Sequence, residues 1–222
     1  MDYPRCDKCG RYDCRNGDEI RNPNCPMNRE DIPEKEIVSW YNDPEVSRMF
    51  RVASKIEKET YREIEGAITP VRPRIAEVIA FCREMDIEKV GVAFCAGLIW
   101  EAGRVCKILD EAGLDVASVM CKCFSVEKED LGVPQSSYIR QGNEAACNPL
   151  MQAKMLNRAG TELNLIVGLC IGHDLLFMKH SDAPVSTLVV KDRMSGHNPI
   201  PPLYSAYFGE LMERESDPDR QS

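Results

Sequence analysis

The chain has 222 residues, and its 36 acidic and 28 basic side chains give a formal net charge of -8, which offers no general attraction to nucleic acid or anionic lipid. No apolar run approaches the roughly 18 residues that a spanning helix needs, and the N-terminus is charged and cysteine-rich, unlike a secretory signal. We therefore expect a cytoplasmic protein with neither a nucleic-acid nor a membrane partner.

Eleven cysteines are the most informative feature of the composition. They are too many to attribute to packing alone, and an odd number does not make a complete disulfide framework. In a reducing cytoplasm such a count favours metal binding or thiol chemistry. We interpret two of the eleven, Cys82 and Cys106, as core residues because each lies on the apolar face of a predicted helix.

The first 31 residues carry cysteines in the spacing Cys-x2-Cys-x4-Cys-x10-Cys, at Cys6, Cys9, Cys14 and Cys25. The segment has almost no apolar residues, so hydrophobic burial cannot order it, whereas four thiolates that close on one ion can. Four sulfurs suit tetrahedral zinc, but the Cys25-Pro26 pair is also typical of ferredoxin cluster motifs. We predict a Cys-rich metal-binding knuckle over 1–31; zinc, an iron-sulfur cluster and no metal all remain open.

The region 32–86 has a helical pattern. Apolar residues recur at steps of three and four after Asp43-Pro44, Gly66 and Pro70 break the pattern, and a second helix follows from about Pro73. We predict that this region is a helical brace packed on the main domain.

Four apolar runs, at 90–95, 115–123, 163–170 and 185–190, alternate with helical patterns or loops from residue 87 onward. This alternation predicts an α/β fold with a Rossmann-like, mainly parallel, four-stranded sheet and helices on both faces over 87–213. The charged tail 214–222 is expected to be mobile.

Cysteines follow the predicted strands at the end where ligands bind in open parallel sheets. Those that follow strands are Cys95, Cys121, Cys123 and Cys170, and Cys147 opens the helix that leads to the third strand at the same edge. Cys121 and Cys123 face the same side if the strand persists that far, and Cys147 lies just before a helix N-terminus, which favours a thiolate. Any one of them alone is more often a core residue, but three successive strands that end in cysteine are hard to attribute to packing.

Three interpretations compete for this edge. A subset of the five thiols binds a metal ion or an iron-sulfur cluster, with His173 or His197 as a ligand or outer partner. Alternatively, one thiolate is a nucleophile and another resolves the mixed disulfide, as in thiol redox enzymes. In the third, Lys191, Arg193 and the helix N-termini bind a small anionic molecule. Metal ligation accounts best for the number of thiols.

Several motifs together resemble an uncharacterised bacterial and archaeal family that is described as a domain of unknown function or a putative metal-binding protein. They include Cys6-x2-Cys9-x4-Cys14, Phe94-Cys95-Ala96-Gly97-Leu98, Cys147-Asn148-Pro149, the stretch 168–174 and Lys191-Asp192-Arg193 with Gly196-His197-Asn198-Pro199. The resemblance spans nearly the whole chain. It implies metal binding, and it carries over no catalytic residue.

Common enzyme motifs are missing: there is no G-x-G-x-x-G after the first strand, no P-loop, no G-x-S-x-G elbow and no H-E-x-x-H. We therefore predict a metal-binding protein with two sites, the N-terminal one structural. Whether the chain is an enzyme is left open. The alternatives are a thiol or iron-sulfur redox enzyme that acts on a small molecule, and an interaction module that docks a partner through the N-terminal knuckle.

Overall fold

The computed structural model describes residues 5–17, 19, 25, 27 and 33–216, with side chains as far as Met212. The chain divides into two compact units, 1–51 and 52–222. Of the tail expected to be mobile, residues 214–216 form the end of the last helix, and 217–222 lie outside the described residues.

The first unit contains two single turns, Cys6–Lys8 and Asp13–Arg15, then helix α1 (Glu34–Ser39) and the start of helix α2 (Pro44–Thr60). The Asp43 carboxylate accepts hydrogen bonds from the backbone N–H groups of Glu45 and Val46, at 2.9 and 3.0 Å. These bonds satisfy donors that the first helical turn leaves unpaired. The predicted start of the helix at Asp43-Pro44 is therefore confirmed.

A β-hairpin interrupts the region that was expected to be helical. Strand β1 (Tyr61–Ile64) pairs antiparallel with strand β2 (Ala67–Pro70). The two loop residues, Glu65 and Gly66, both have positive φ, 52° and 79°, which is the backbone geometry of a tight hairpin turn. Helix α3 (Arg74–Glu84) then begins after Pro73, as predicted.

The main domain is built on one fully parallel sheet of four strands in the order β4-β3-β5-β6. Its strands are β3 (Lys89–Phe94), β4 (Asp115–Met120), β5 (Leu163–Val167) and β6 (Val185–Val189). The helices are α4 (Ile99–Glu111), α5 (Pro149–Ala159), α6 (His173–His180), α7 (Ile200–Tyr204) and α8 (Ala206–Ser216). The predicted Rossmann-like α/β fold is confirmed.

Alternate residues of the central strands point into two separate cores. Val92 of β3 and Leu165 of β5 belong to a cluster with residues of α3 and α4. Ala93 and Ile166, the next residues along, belong to a second cluster with α5 and with Phe177 of α6. The period of two in these strands therefore places helices on both faces of the sheet.

A buried glutamine fixes α5 against the carboxyl ends of two strands. Gln152 is fully buried, and its Nε2 donates to the carbonyl oxygens of Phe94 at 3.3 Å and Val119 at 2.7 Å. These two bonds satisfy buried acceptors at the ends of β3 and β4. They also set the height of the α5 N-terminus, and hence of Cys147, above the sheet edge.

Replacement of Gln152 by leucine is expected to lower the free energy of unfolding by about 1–3 kcal/mol, because the carbonyl groups of Phe94 and Val119 each lose a hydrogen bond. The Phe94 oxygen still accepts from the Cys121 N–H, so most of the loss comes from Val119. Urea unfolding followed by circular dichroism measures the loss. Gln141→Leu, at an exposed position, is the control and should change stability by less than about 0.5 kcal/mol. Equal losses in the two variants would contradict the structural role of Gln152.

Among the described residues, no helix is both long and apolar enough to cross a membrane.

Candidate functional site

Strand β4 ends at Met120, one residue before Cys121. Cys123 begins a tight turn in which Phe124 and Ser125 have positive φ, 66° and 48°. The strand therefore does not persist to Cys123, so the condition under which Cys121 and Cys123 were expected to face the same side is not met. Cys121 is buried, whereas the Cys123 thiol lies 3.9 Å from the carbonyl oxygen of Asn148.

Three of the five edge thiols form a continuous hydrogen-bonded series. The Sγ atoms of Cys121 and Cys147 are 3.8 Å apart, and the Cys95 thiol is hydrogen-bonded to Cys121 on the other side. The backbone N–H of Ala96 also donates to Cys121 Sγ, at 3.3 Å. Cys121 is thus the centre of the series, between the end of β3 and the start of α5. We call Cys95, Cys121 and Cys147 the thiol series.

The residues that directly follow Cys147 fix the start of α5. Asn148 caps α5 by accepting from Met151 N–H at 3.1 Å, and Pro149 occupies the first helical position. The Asn148 N–H donates to the Cys121 carbonyl oxygen at 2.7 Å. This last bond brings the two ends of the loop 122–147 together and places the two sulfurs side by side.

The thiols of the thiol series differ in pKa. The hydrogen bond with Cys121 lowers the pKa of Cys147 to about 7, against the effect of burial, and the positive charge of Lys122 contributes to this decrease. The same kind of bond, together with burial, raises the pKa of Cys95 to about 12. At neutral pH the negative charge of the series therefore resides mainly on Cys147.

Two basic side chains that follow β6 contact thiols at the ends of other strands. Lys191 Nζ donates to Cys95 Sγ at 3.4 Å, and Arg193 Nη2 donates to Cys170 Sγ at 2.9 Å. Cys170, which follows β5, is thereby turned toward Arg193. Of the residues predicted for this site, Cys170 and Cys123 both have partners outside the thiol series.

The two candidate histidines have different surroundings. His173, at the start of α6, has a buried Nδ1 with no hydrogen-bond partner among the described residues, and burial lowers its pKa. It is therefore a neutral imidazole with a free nitrogen at neutral pH. In contrast, His197 Nδ1 accepts from Asp192 N–H at 3.1 Å within a closed turn, so this nitrogen already has a partner.

The N-terminal cysteines lie in a separate unit of the chain. The Cys9 N–H donates to the Cys6 carbonyl oxygen at 3.1 Å, so the Cys-x2-Cys pair forms a closed turn. Cys6 and Cys14 are exposed, Cys9 is half-buried and Cys25 is buried.

Within the described part of the chain, no three His, Cys, Asp or Glu side chains are grouped closely enough to hold a metal ion as they stand. The donor set nevertheless suits a soft ion at the thiol series. In a tetrahedron with Zn–S bonds of about 2.3 Å, two sulfurs are about 3.8 Å apart. The distance between Cys121 Sγ and Cys147 Sγ is the same.

Comparisons with known proteins confirm the resemblance to an uncharacterised family of unknown function. Residues 25–188 match the family model described as Protein of unknown function (DUF1847). The chain belongs to the DUF1847 family. It is also 38% identical over 205 residues to the uncharacterized protein MJ0455 of Methanocaldococcus jannaschii, an alignment that covers 92% of this chain and 95% of that protein.

Three residues that matter in this DUF1847 chain were not found from its sequence. Gln152 and Lys122 gave no signal because a single polar residue near a helix start or strand end is common on any surface. The Ala96 N–H gave none because a backbone donor has no sequence signature. In contrast, the capping pair Asn148-Pro149 did mark the helix start beside Cys147 in the sequence.

Proposed function

We propose that this protein binds a soft metal ion or an iron-sulfur cluster at the carboxyl edge of its sheet through Cys121, Cys147 and Cys95. The observation that carries the proposal is the 3.8 Å separation of the Cys121 and Cys147 sulfurs, which equals the edge of a zinc-thiolate tetrahedron. Metal binding then requires the Cys95 thiol, already bonded to Cys121, to turn toward this pair.

The surroundings of the sulfurs support thiolate ligation. An N–H donor such as that of Ala96 stabilises a thiolate, and Lys191 beside Cys95 compensates negative charge. Burial disfavours such charge unless it is compensated in this way. His173 has the free, neutral nitrogen that a fourth ligand or an outer hydrogen-bond partner needs.

We also propose that Cys6, Cys9, Cys14 and Cys25 hold a second, structural metal. The Cys6–Cys9 turn is of the kind that presents two sulfurs to one ion, and the acidic and basic residues around it form no apolar core. Zinc and an iron-sulfur cluster both fit four thiolates.

The expected result is two metal sites per chain in protein purified without oxygen and analysed by plasma mass spectrometry. Cys121→Ser/Cys147→Ser should lose one site and Cys9→Ser the other, whereas Cys106→Ser, a half-buried cysteine of α4, should lose none. The visible spectrum separates a coloured cluster from colourless zinc. Unchanged metal content in Cys121→Ser/Cys147→Ser would contradict a metal at the sheet edge.

A second candidate function is thiol redox chemistry at the same sulfurs, favoured by the pKa of about 7 at Cys147. Here the Cys147 thiolate attacks one sulfur of a disulfide substrate and expels the other as a thiolate, which takes up a proton. Cys121 then attacks the mixed disulfide, forms the Cys121–Cys147 disulfide and releases the second substrate thiol. The protein dithiol is oxidised by two electrons, and the substrate disulfide is reduced by two.

A further inference from the structure

Three basic side chains gather around the carboxyl edge without a carboxylate partner. Lys122, Lys191 and Arg193 take part in no ion pair with an aspartate or glutamate among the described residues. Lys191 and Arg193 instead donate to thiols, and Lys122 donates to the carbonyl oxygen of Ala145.

The nearby acids have other partners. The Asp192 carboxylate accepts from the backbone N–H groups of Met194 and Ser195, both at 3.0 Å. Asp174 Oδ1 accepts from Leu175 N–H at 2.8 Å. These carboxylates keep their negative charge, but they are held by backbone donors and form no ion pair with the three cations among the described residues.

Two of the cations flank the place where the strand order reverses. From β3 the chain proceeds to its neighbour β4 on one side, and from β5 it proceeds to β6 on the other. Lys191 reaches the thiol that follows β3, and Arg193 reaches the thiol that follows β5. The crevice outside these two strand ends is where open α/β sheets bind their ligands.

Solvent has access to the space beside Lys191. Gly97 is exposed, and a methyl group at this glycine would lie 3.6 Å from Lys191 Nζ and 4.0 Å from Cys95 Sγ. Arg193 is exposed, and Lys191 is half-buried. A small molecule that approaches over Gly97 therefore meets both the ammonium group and the thiol.

We propose that Lys191 and Arg193 bind a phosphate group at this crevice, either free phosphate or the phosphate of a small monoester. The planar fork of Arg193 suits two phosphate oxygens, and the lysine adds a point charge. A phosphate carries about -1.5 to -2 at neutral pH, which matches two or three unpaired cations better than the single charge of a carboxylate. Neither cation is a proposed metal ligand, but Lys191 also donates to Cys95, so phosphate binding and metal binding are tested with separate variants.

Calorimetric titration of the full-length protein tests this proposal, with inorganic phosphate, phenyl phosphate and acetate as separate probes at low ionic strength. We expect both phosphates to bind more tightly than acetate. Tighter binding of phenyl phosphate identifies a monoester as the occupant, and equal binding identifies free phosphate. Lys191→Met and Arg193→Met should each weaken phosphate about tenfold or more, the usual effect of losing a charge-assisted hydrogen bond.

The matched control is Lys154→Met/Arg158→Met, two exposed positions on α5, which should leave phosphate binding unchanged. Cys121→Ser/Cys147→Ser should lose metal but keep phosphate, so the two proposals fail separately. Thermal unfolding of each variant excludes a loss of folding as the cause. Phosphate affinity equal to that for acetate, or equal in Lys191→Met, Arg193→Met and the control, would overturn the assignment.

Discussion

Gly168→Ala is expected to lower the free energy of unfolding by roughly 2–5 kcal/mol. Gly168 follows β5 with φ +66°, a left-handed conformation that costs an alanine about 1–2 kcal/mol. A methyl group there would also lie 2.0 Å from Cδ1 of Leu98, which is buried at the start of α4. Overpacking of this kind adds about 1–3 kcal/mol. Urea unfolding followed by circular dichroism measures the sum.

Gly160→Ala separates the two contributions. Gly160 has nearly the same φ, +67°, but nothing lies within 4 Å of the added methyl group. Gly160→Ala should therefore lower the free energy of unfolding only by the cost of the left-handed backbone conformation. In addition, Leu98→Ala should reduce the cost of Gly168→Ala, because the clashing carbon is gone, and the two effects should be less than additive. Equal losses at Gly160 and Gly168 would show that Leu98 moves away freely.

Alkylation of metal-free protein with iodoacetamide should label Cys147 far faster than Cys95. At pH 8, a thiol of pKa about 7 is mostly ionised, whereas one of pKa about 12 is ionised only to about one part in 10⁴. The lower intrinsic nucleophilicity of the more acidic thiolate reduces this advantage to roughly fiftyfold. Peptide mapping by mass spectrometry measures both rates in one sample.

The rate at which Cys147 is alkylated should increase with pH. Because hydrogen bonding lowers the pKa of Cys147, its labelling rate should fall as pH drops through about 7 and should level off above pH 8. A midpoint near 9, the ordinary value, would contradict the hydrogen-bonded thiolate. Metal-loaded protein should resist labelling at Cys147 until a chelator is added, whereas rapid labelling of protein purified without chelator would favour the thiol redox function.

Much of the main domain was predictable because burial imposes simple patterns. Leu163–Val167 is buried on both faces, so it shows as an apolar run with one buried polar residue, Asn164, and α5 begins at the Asn-Pro pair that caps it. The hairpin at 61–70 was missed since its strands are mostly exposed and lack an apolar alternation.

The arrangement of the thiols was predictable only in part. Their common edge follows from strand order, but the pairing of Cys121 with Cys147 depends on how the intervening loop closes, which no periodicity encodes. Likewise, the Cys170 thiol contacts Arg193 and the Cys123 thiol contacts a backbone carbonyl group. These contacts depend on side-chain rotamers, which the sequence pattern does not encode. The sequence therefore predicted where the thiols gather, and not which of them meet.

The loop between Cys121 and Cys147 begins and ends at two of the cysteines that we propose as metal ligands. The loop is held internally by the Lys128–Glu144 ion pair at 3.0 Å, and one sulfur of the 3.8 Å pair stands at each of its two ends. Any bond that joins these sulfurs, whether through a metal or as a disulfide, ties the loop into a ring and removes conformational freedom from the unfolded chain. If the proposed site is occupied, this surface loop should therefore resist local unfolding, and hence proteases, without movement of the sheet beneath it.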